Sequence, residues 1–229
     1  MSFVVIEGLD GSGKSTQIHK MLKYFELRKI EYQYLHFPRT SAPVYGELIA
    51  RFLRGEFGPL DSVHPYLVAL LYAGDRMDAA GIINQWLNDK KLVLVDRYVY
   101  SNIAFQCAKL SDPEERKGLA AWIRNLEYSH YGIPVPDLSI FLDVPFEFTR
   151  AQLEKGRNGS DRGYLNGGED IHEADLEFQQ KVREVYLQEV HTDPLFIRID
   201  CSRNGKDILE PEEIFQKILA LLKQKNIIG

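Results

Sequence analysis

Apolar and polar positions fall into blocks along this chain, short β-branched runs alternating with stretches of helical spacing. Phe3-Val-Val-Ile-Glu7 is a run closed by Gly8, the pattern of a strand buried on both faces. From Gly13 to about Arg28, residues Ile18, Met21, Leu22 and Phe25 recur on one side of a predicted helix. Tyr32 to Phe37 predicts a second strand, stopped by Pro38, and helices are predicted near Val44–Arg54 and His64–Asn88. Leu92-Val-Leu-Val-Asp96 is the clearest strand, with a helix expected directly after it. Asp112-Pro-Glu-Glu predicts a helix start with proline at its first position. Leu138–Asp143 predicts a fourth strand after the punctuation of Pro134 and Pro136. Gly156 to Gly168 breaks the pattern with five glycines, two arginines and two asparagines, and predicts a mobile loop. Ile171–Val190 predicts a helix, Leu195–Ile199 a fifth strand and Pro211–Lys225 a closing amphipathic helix.

Strands separated by helices imply βαβ units, hence an α/β fold with a mostly parallel sheet and helices on both faces. Such sheets place their ligands at the carboxyl ends of the strands. That edge carries Gly8–Ser15, Phe37–Arg39, Asp96-Arg97 and the residues after Asp143 and Asp200.

The length of 229 residues leaves one or two domains open, and no repeat or linker divides the chain, so a single domain over 1–229 is expected. With 28 Lys and Arg against 33 Asp and Glu, the net charge is −5, the wrong sign for a general nucleic-acid binder. No nucleic-acid partner is therefore expected, and an anionic ligand must be met by a local cluster of positive groups. Cys107 and Cys201 are too few for a disulfide framework and too far apart for a zinc motif, which suits reduced thiols in the cytoplasm. The apolar run Phe3–Ile6 ends at Glu7, too short for a signal sequence, and no window reaches the roughly 20 apolar residues of a membrane span. Neither export nor a membrane partner is expected.

Gly8-Leu-Asp-Gly-Ser-Gly-Lys-Ser15 fits G-x-x-x-x-G-K-[ST], the phosphate-binding P-loop. Its glycines let backbone N–H groups wrap a phosphate at a helix N-terminus. Lys14 supplies a point charge to the β/γ phosphates, and Ser15 offers a hydroxyl to Mg²⁺. From average residue usage, a chance match in a chain this long is on the order of one in a hundred. Strand before and helix after are both predicted, so Gly8, Leu9, Asp10, Gly11, Ser12, Gly13, Lys14, Ser15 and Thr16 are the expected ATP-binding residues of a P-loop NTPase fold. A carboxylate within an anion cradle is costly unless a cation faces it, so Asp10 points to a second basic group nearby.

Asp96-Arg97 caps the apolar run Leu92–Val95, where Asp96 can hold Mg²⁺ through water and Arg97 can grip a second phosphate. On a following helix Arg97, Ser101 and Phe105 share a face at i, i+4 and i+8, with Asn102 and Gln106 along its edge. Guanidinium, amide and ring together suit a nucleotide, although Phe105 reads equally well as core. Tyr72 and Arg76 lie one helical turn apart and can stack a base and donate to its carbonyl, or form a surface tyrosine with a solvated arginine. Phe37-Pro-Arg39 ends the second strand, where a basic residue would face a phosphate.

Taken together, these residues resemble the thymidylate kinase family over nearly the whole chain. The resemblance rests on Gly8–Ser15 with Asp10, Phe37-Pro-Arg39, Leu71-Tyr-Ala-Gly-Asp-Arg76, Val95-Asp-Arg-Tyr98 with Ser101 and Phe105, and Pro136-Asp-Leu. The run Phe178, Val182-Arg183, Tyr186-Leu187 is similar to the helix after the family's lid. The resemblance implies a five-stranded parallel core flanked by helices, a mobile lid at about 155–170, a homodimer, and ATP with Mg²⁺. It implies that Tyr72 stacks on thymine, that Arg76 and Asn102 read the base edge, and that Arg39 and Arg97 hold the dTMP phosphate. Tyr164 would lie near the acceptor sugar or base. Phe37, Ser101 and Phe105 complete the implied acceptor wall.

Two departures change the picture. Eukaryotic-type members carry an arginine directly after the P-loop aspartate, where this chain has Gly11. The transition-state cation must then come from the lid, which contains Arg157 and Arg162 with Lys155 just before it; Arg162 is the first expectation, with Arg157 beside it. Tyr72 stands where phenylalanine is common, a change compatible with stacking. The reaction implied is phosphoryl transfer from ATP·Mg²⁺ to dTMP in the supply of dTTP, with Asp10, Lys14, Arg97 and a lid arginine as its machinery. A deoxynucleoside kinase would need a base for the 5′-hydroxyl, and another nucleoside monophosphate kinase would differ in base choice. A guanine-reading switch protein would carry N-K-x-D, which this chain lacks.

Overall fold

Five strands, β1 (Ser2–Glu7), β2 (Tyr32–His36), β3 (Leu92–Asp96), β4 (Leu138–Asp143) and β5 (Phe196–Asp200), form one parallel sheet in the order β2-β3-β1-β4-β5. The computed structural model describes residues 2–155, 160–165, 170–173 and 175–229, without the side chains of 160–162. Helices α1 (Lys14–Leu27), α2 (Tyr45–Leu53), α3 (Pro65–Asn88), α4 (Val99–Cys107), α5 (Pro113–Arg124), α6 (Phe146–Glu154), α7 (Leu176–Thr192) and α8 (Pro211–Gln224) connect and cover it. Two-residue strands β6 (Ser202–Arg203) and β7 (Asp207–Ile208) pair antiparallel.

Successive side chains of a strand point to opposite faces, and β1 divides the core accordingly. Phe3 and Val5 join the cluster that includes residues of α3, α4, α5 and α7, while Val4 and Ile6 join that of α1 and α8. Such burial of both faces explains the unbroken apolar runs of β1, β3 and β4. A smaller cluster of Ile49, Phe52, Leu53 and Val68 binds α2 to α3, with Tyr72, Tyr164 and Ile171 packed on it.

The five predicted strands are all present, with boundaries shifted by one residue in β1, β2 and β5. The predicted helix at Ile171–Val190 starts later: residues 171–173 form a turn, and the Asp175 side chain caps α7 by accepting from the Phe178 N–H at 2.9 Å. An N-cap aspartate satisfies an otherwise orphaned backbone donor, which makes it a start signal stronger than the apolar Ile171. Asp112 caps α5 similarly, accepting from the Glu114 N–H at 2.7 Å. α5 runs on into a π-helical turn at Asn125–His130, which the sequence pattern did not indicate. In β1, which lies between β3 and β4, the chain leaves the carboxyl edge at Glu7 and enters the Gly-rich loop.

Candidate active site

The loop between β1 and α1 leads directly from strand into helix, as a phosphate cradle requires. Gly8 is needed because a Cβ there would meet Ser12 Oγ at 2.8 Å and the Leu142 carbonyl at 3.3 Å. Gly13 precedes α1 at φ 79°, in the left-handed region that favours glycine. Lys14 is buried and donates from Nζ to the carbonyls of Gly8 at 3.1 Å and Leu9 at 2.8 Å, so its ammonium lies folded across the loop. Ser15 and Thr16 are exposed on the first turn of α1.

The cation expected to face Asp10 is Arg97, which donates from Nη2 to Asp10 Oδ1 at 2.7 Å. The other oxygen of Asp10 accepts from Gln179 Nε2 at 3.1 Å, which ties α7 to the loop. Arg97 is not on the helix as predicted. It occupies the turn between β3 and α4 at φ 67°, and α4 begins at Val99. Its side chain nevertheless reaches Ser101 Oγ from Nη1 at 3.2 Å and lies 5.1 Å from the Phe105 ring centroid. Burial works against the guanidinium charge, but Asp10, Asp96 and Glu7 keep Arg97 firmly protonated.

Asp96, at the end of β3, has Oδ2 at 3.1 Å from His36 Nδ1, while its Oδ1 is buried without a hydrogen-bond partner. Burial alone would raise this carboxyl, but the His36 hydrogen bond and the charges of His36, Lys14 and Arg97 hold it below the ordinary value. Glu7, the last residue of β1, is fully buried and accepts from the N–H groups of Tyr98 and Ser101. Burial pushes its carboxyl up against the pull of Ser101, Arg97, Tyr98 and Tyr186.

A cleft enclosing about 860 Å³, open mouth included, joins these groups to a second set. Asp10, Lys14, Ser15, Asp96 and Arg97 line one part of it, and Phe37, Tyr72, Arg76, Asn102 and Phe105 another. Tyr164 also lines it. Phe105 serves both readings, since it belongs to the main core as well. Arg76 is not a solvated surface residue: it is buried and bound to Glu127, with Nη2 donating to Oε1 at 2.7 Å. Asn102 Nδ2 donates to the same oxygen at 2.9 Å and to the Ala69 carbonyl at 3.0 Å, which leaves Asn102 Oδ1 buried and unpartnered. One carboxylate on the π-helical turn thus fixes both side chains.

Arg39 is not among the residues that line the cleft, although its neighbours Pro38 and Thr40 are. Its N–H and Nε donate to Asp75 at 2.9 and 2.8 Å and its Nη2 to Asp78 at 2.6 Å, which anchors the chain after β2 to α3. Of the lid arginines, Arg157 lies outside the described residues, as does the side chain of Arg162.

Several lining residues were missed. Asp170 is buried and accepts from the Tyr164 hydroxyl at 2.6 Å and from the His172 N–H at 2.8 Å. Asp170, His172 and Glu173 follow the Gly-rich loop, where no periodicity marks them, and Thr40 and His36 flank a weak Phe-Pro-Arg signal. Burial, and then the charge of Asp10, push the Asp170 carboxyl from 3.8 up to about 7. Burial, and then Lys109, push the His172 imidazole down to about 3, so it is neutral. A carboxyl raised by folding stabilises the chain fully below its unfolded value and loses that contribution as pH rises through about 7. Asp170→Asn is therefore expected to melt higher than the parent at about pH 8, with a smaller gap at about pH 5. Thermal melts of both proteins across that range check it; a gap independent of pH would show that Asp170 does not titrate there.

A family model described as thymidylate kinase matches residues 6–211. The chain is 35% identical over 185 residues to a thymidylate kinase of Mycobacterium tuberculosis, covering 81% of this chain and 84% of that one. It is 31% identical over 206 residues to a thymidylate kinase of Plasmodium falciparum, covering 90% and 85%. A solved structure of thymidylate kinase from Candida albicans superposes with a TM-score of 0.71 at 23% identity, covering 98% of this chain and 92% of that one, a likeness of fold.

Proposed function

This chain belongs to the thymidylate kinase family, and from that premise we propose that it transfers the γ-phosphoryl group of ATP in line to dTMP, giving dTDP and ADP for dTTP synthesis. The observation that carries the reading is the Asp10–Arg97 pair, which joins the phosphate cradle to the acceptor cleft at 2.7 Å. A phosphate monoester is largely a dianion at neutral pH, its second pKa being about 6, so the acceptor needs no strong general base. Catalysis is then positioning and charge neutralisation. Lys14 and the N–H groups of 8–16 hold the donor phosphates, and Arg97 holds the acceptor phosphate. Arg39, held to α3 by Asp75 and Asp78, is the second cation proposed for that phosphate. A lid arginine, Arg162 in preference to Arg157, meets the transferring group.

Tyr72 stacks on the base, and Asn102 Oδ1, unpartnered in protein, accepts from the thymine ring N–H. Arg76, set by Glu127, donates to a base carbonyl. Phe37, Ser101, Phe105 and Tyr164 complete the acceptor wall. Mg²⁺ fits the buried, unpartnered Asp96 Oδ1 and the exposed Ser15 hydroxyl, both on the cleft. Among the described residues no cluster of three or more His, Cys, Asp or Glu could hold a metal. Mg²⁺ is usually held by one or two carboxylates plus substrate phosphates. When bound, Mg²⁺ would neutralise charge on the β/γ oxygens.

We take 1–229 as a single domain built on the five-stranded sheet, with 155–170 as its lid. The two buried free thiols suit a cytoplasmic enzyme. No helix among the described residues is long and apolar enough to cross a membrane. We further propose a homodimer through α3, where Leu67, Leu70, Met77 and Ile82 are exposed on one broad face. Met77→Glu combined with Leu70→Glu is expected to convert dimer to monomer in sedimentation; a parent protein that sediments as a monomer would contradict it.

Acceptor choice tests the reading. ADP release is expected to be strong with dTMP, weaker with dUMP and negligible with thymidine. Release with thymidine alone would move the chain to the nucleoside kinases.

A further inference from the structure

Among the described residues that line the cleft, Arg97 alone is a non-glycine residue in the left-handed region, at φ 67° between β3 and α4. Such conformations are costly and persist only when their surroundings over-determine them. The restraints are visible. The Arg97 N–H donates to the Ile6 carbonyl at 2.9 Å, so the residue is anchored to β1 on its amino side. On its carboxyl side, the next N–H, that of Tyr98, donates to Glu7 Oε1 at 2.9 Å, and the N–H of Ser101 donates to the same oxygen at 3.2 Å. Tyr98 is the N-cap of α4 and its own side chain makes no capping bond. A carboxylate from a neighbouring strand therefore takes the place of a local cap. It also complements the positive end of the helix dipole.

The other oxygen of Glu7 continues the chain of contacts. Oε2 accepts from the Ser101 hydroxyl and, at 3.0 Å, from the Tyr186 hydroxyl. Ser101 Oγ in turn accepts from Arg97 Nη1 at 3.2 Å. Both the backbone turn of Arg97 and one of its guanidinium nitrogens are thus tied to Glu7 through a single partner each. Glu7 itself is fully buried at the end of the strand that feeds the phosphate cradle.

We propose that Glu7 is a positioning residue, one that touches neither nucleotide but holds Arg97 in its left-handed turn and aims its guanidinium at the acceptor phosphate. The inference rests on the assignment of Arg97 to that phosphate. It predicts a loss confined to the acceptor side, because the donor phosphates meet the loop after Glu7 and not α4.

Glu7→Gln keeps an oxygen for the two N–H groups and an amide for the two hydroxyls, but removes the charge. It is expected to raise KM for dTMP about tenfold, the size of one charge-assisted hydrogen bond, and to leave KM for ATP within about twofold. The deciding measurement is a double-mutant cycle on kcat/KM for dTMP with Arg97→Lys. If Glu7 acts through Arg97, Glu7→Gln costs about tenfold in the parent but less than about threefold once Arg97 is lysine. Losses that multiply would overturn the proposal, as would an equal rise in KM for ATP. Should Glu7→Gln fail to fold, Tyr186→Phe, which removes a hydroxyl from both Glu7 Oε2 and Ser101 Oγ but no hydrogen bond from Arg97 itself, is run through the same cycle, with a smaller loss that again vanishes in the Arg97→Lys background. Absence of dTMP turnover in the parent protein would instead reject the assignment of function, so the two failures are distinguishable.

Discussion

Arg162→Ala is expected to lower kcat by roughly 10³–10⁵, the range over which an arginine stabilises a transferring phosphoryl group, while KM for ATP stays within about threefold. The reason lies in the cradle. Residue 11 cannot supply the cation, because it is a glycine at φ 73° whose Cβ would approach Gln152 Cβ to 3.1 Å. An arginine there would be strained in its backbone and crowded by α6. On the proposed reading Lys14 and Arg97 meet the donor and acceptor phosphates, so the charge that develops on the group in flight needs a further cation. The segment after Lys155 carries two, Arg157 and Arg162. Arg157→Ala is the comparison variant and is expected to lose far less. Steady-state kinetics of both variants check this; undiminished kcat in Arg162→Ala, with a large loss in Arg157→Ala, would transfer the role.

Arg97→Met is expected to reduce kcat/KM for dTMP by roughly 10²–10⁴, as loss of one or two charge-assisted hydrogen bonds implies. Removal of this guanidinium does more than delete a phosphate contact. Asp10 Oδ1 loses the Arg97 bond at 2.7 Å, and the acceptor end loses one positive charge beside the carboxylates of Asp10 and Asp170. The Nη1 bond to Ser101 also disappears, while Glu7 still holds the first turn of α4 through the Tyr98 and Ser101 N–H groups. KM for dTMP should rise steeply and KM for ATP little, since Lys14 is bonded to its own loop. Isothermal titration with dTMP alone separates binding from chemistry; unchanged affinity would place the acceptor phosphate elsewhere.

What the sequence conveyed and what it withheld divide along a physical line. The sheet was legible because strands buried on both faces are written as unbroken apolar runs, as in Val4-Val5-Ile6 and Leu92–Val95. The cradle was legible because the tight loop favours glycine, as at Gly8, where a Cβ would crowd Ser12 Oγ, and at Gly13, which is left-handed. The partner of Asp10 was foreseeable in kind, since a carboxylate there requires a cation, though only the fold shows it to be Arg97. Glu127 and Asp170 were out of reach. Each acts through a contact far along the chain, Glu127 with Arg76 and Asn102, Asp170 with the neighbourhood of Asp10, and neither lies in a pattern that a local reading detects. Arg39 shows the same limit: its position at a strand end suggested a phosphate, and only the fold reveals its bonds to Asp75 and Asp78 on α3. The start of α7 shows a smaller version, where a polar cap outweighed an apolar residue.

The most direct test is to follow the phosphoryl group itself, with ATP labelled at the γ position, Mg²⁺ and dTMP in one reaction. The label should appear in dTDP, in a one-to-one ratio with ADP, and should leave ATP only slowly when dTMP is omitted. Label released as inorganic phosphate at the same rate with or without dTMP would contradict transfer to the nucleotide and make the cradle that of a hydrolase.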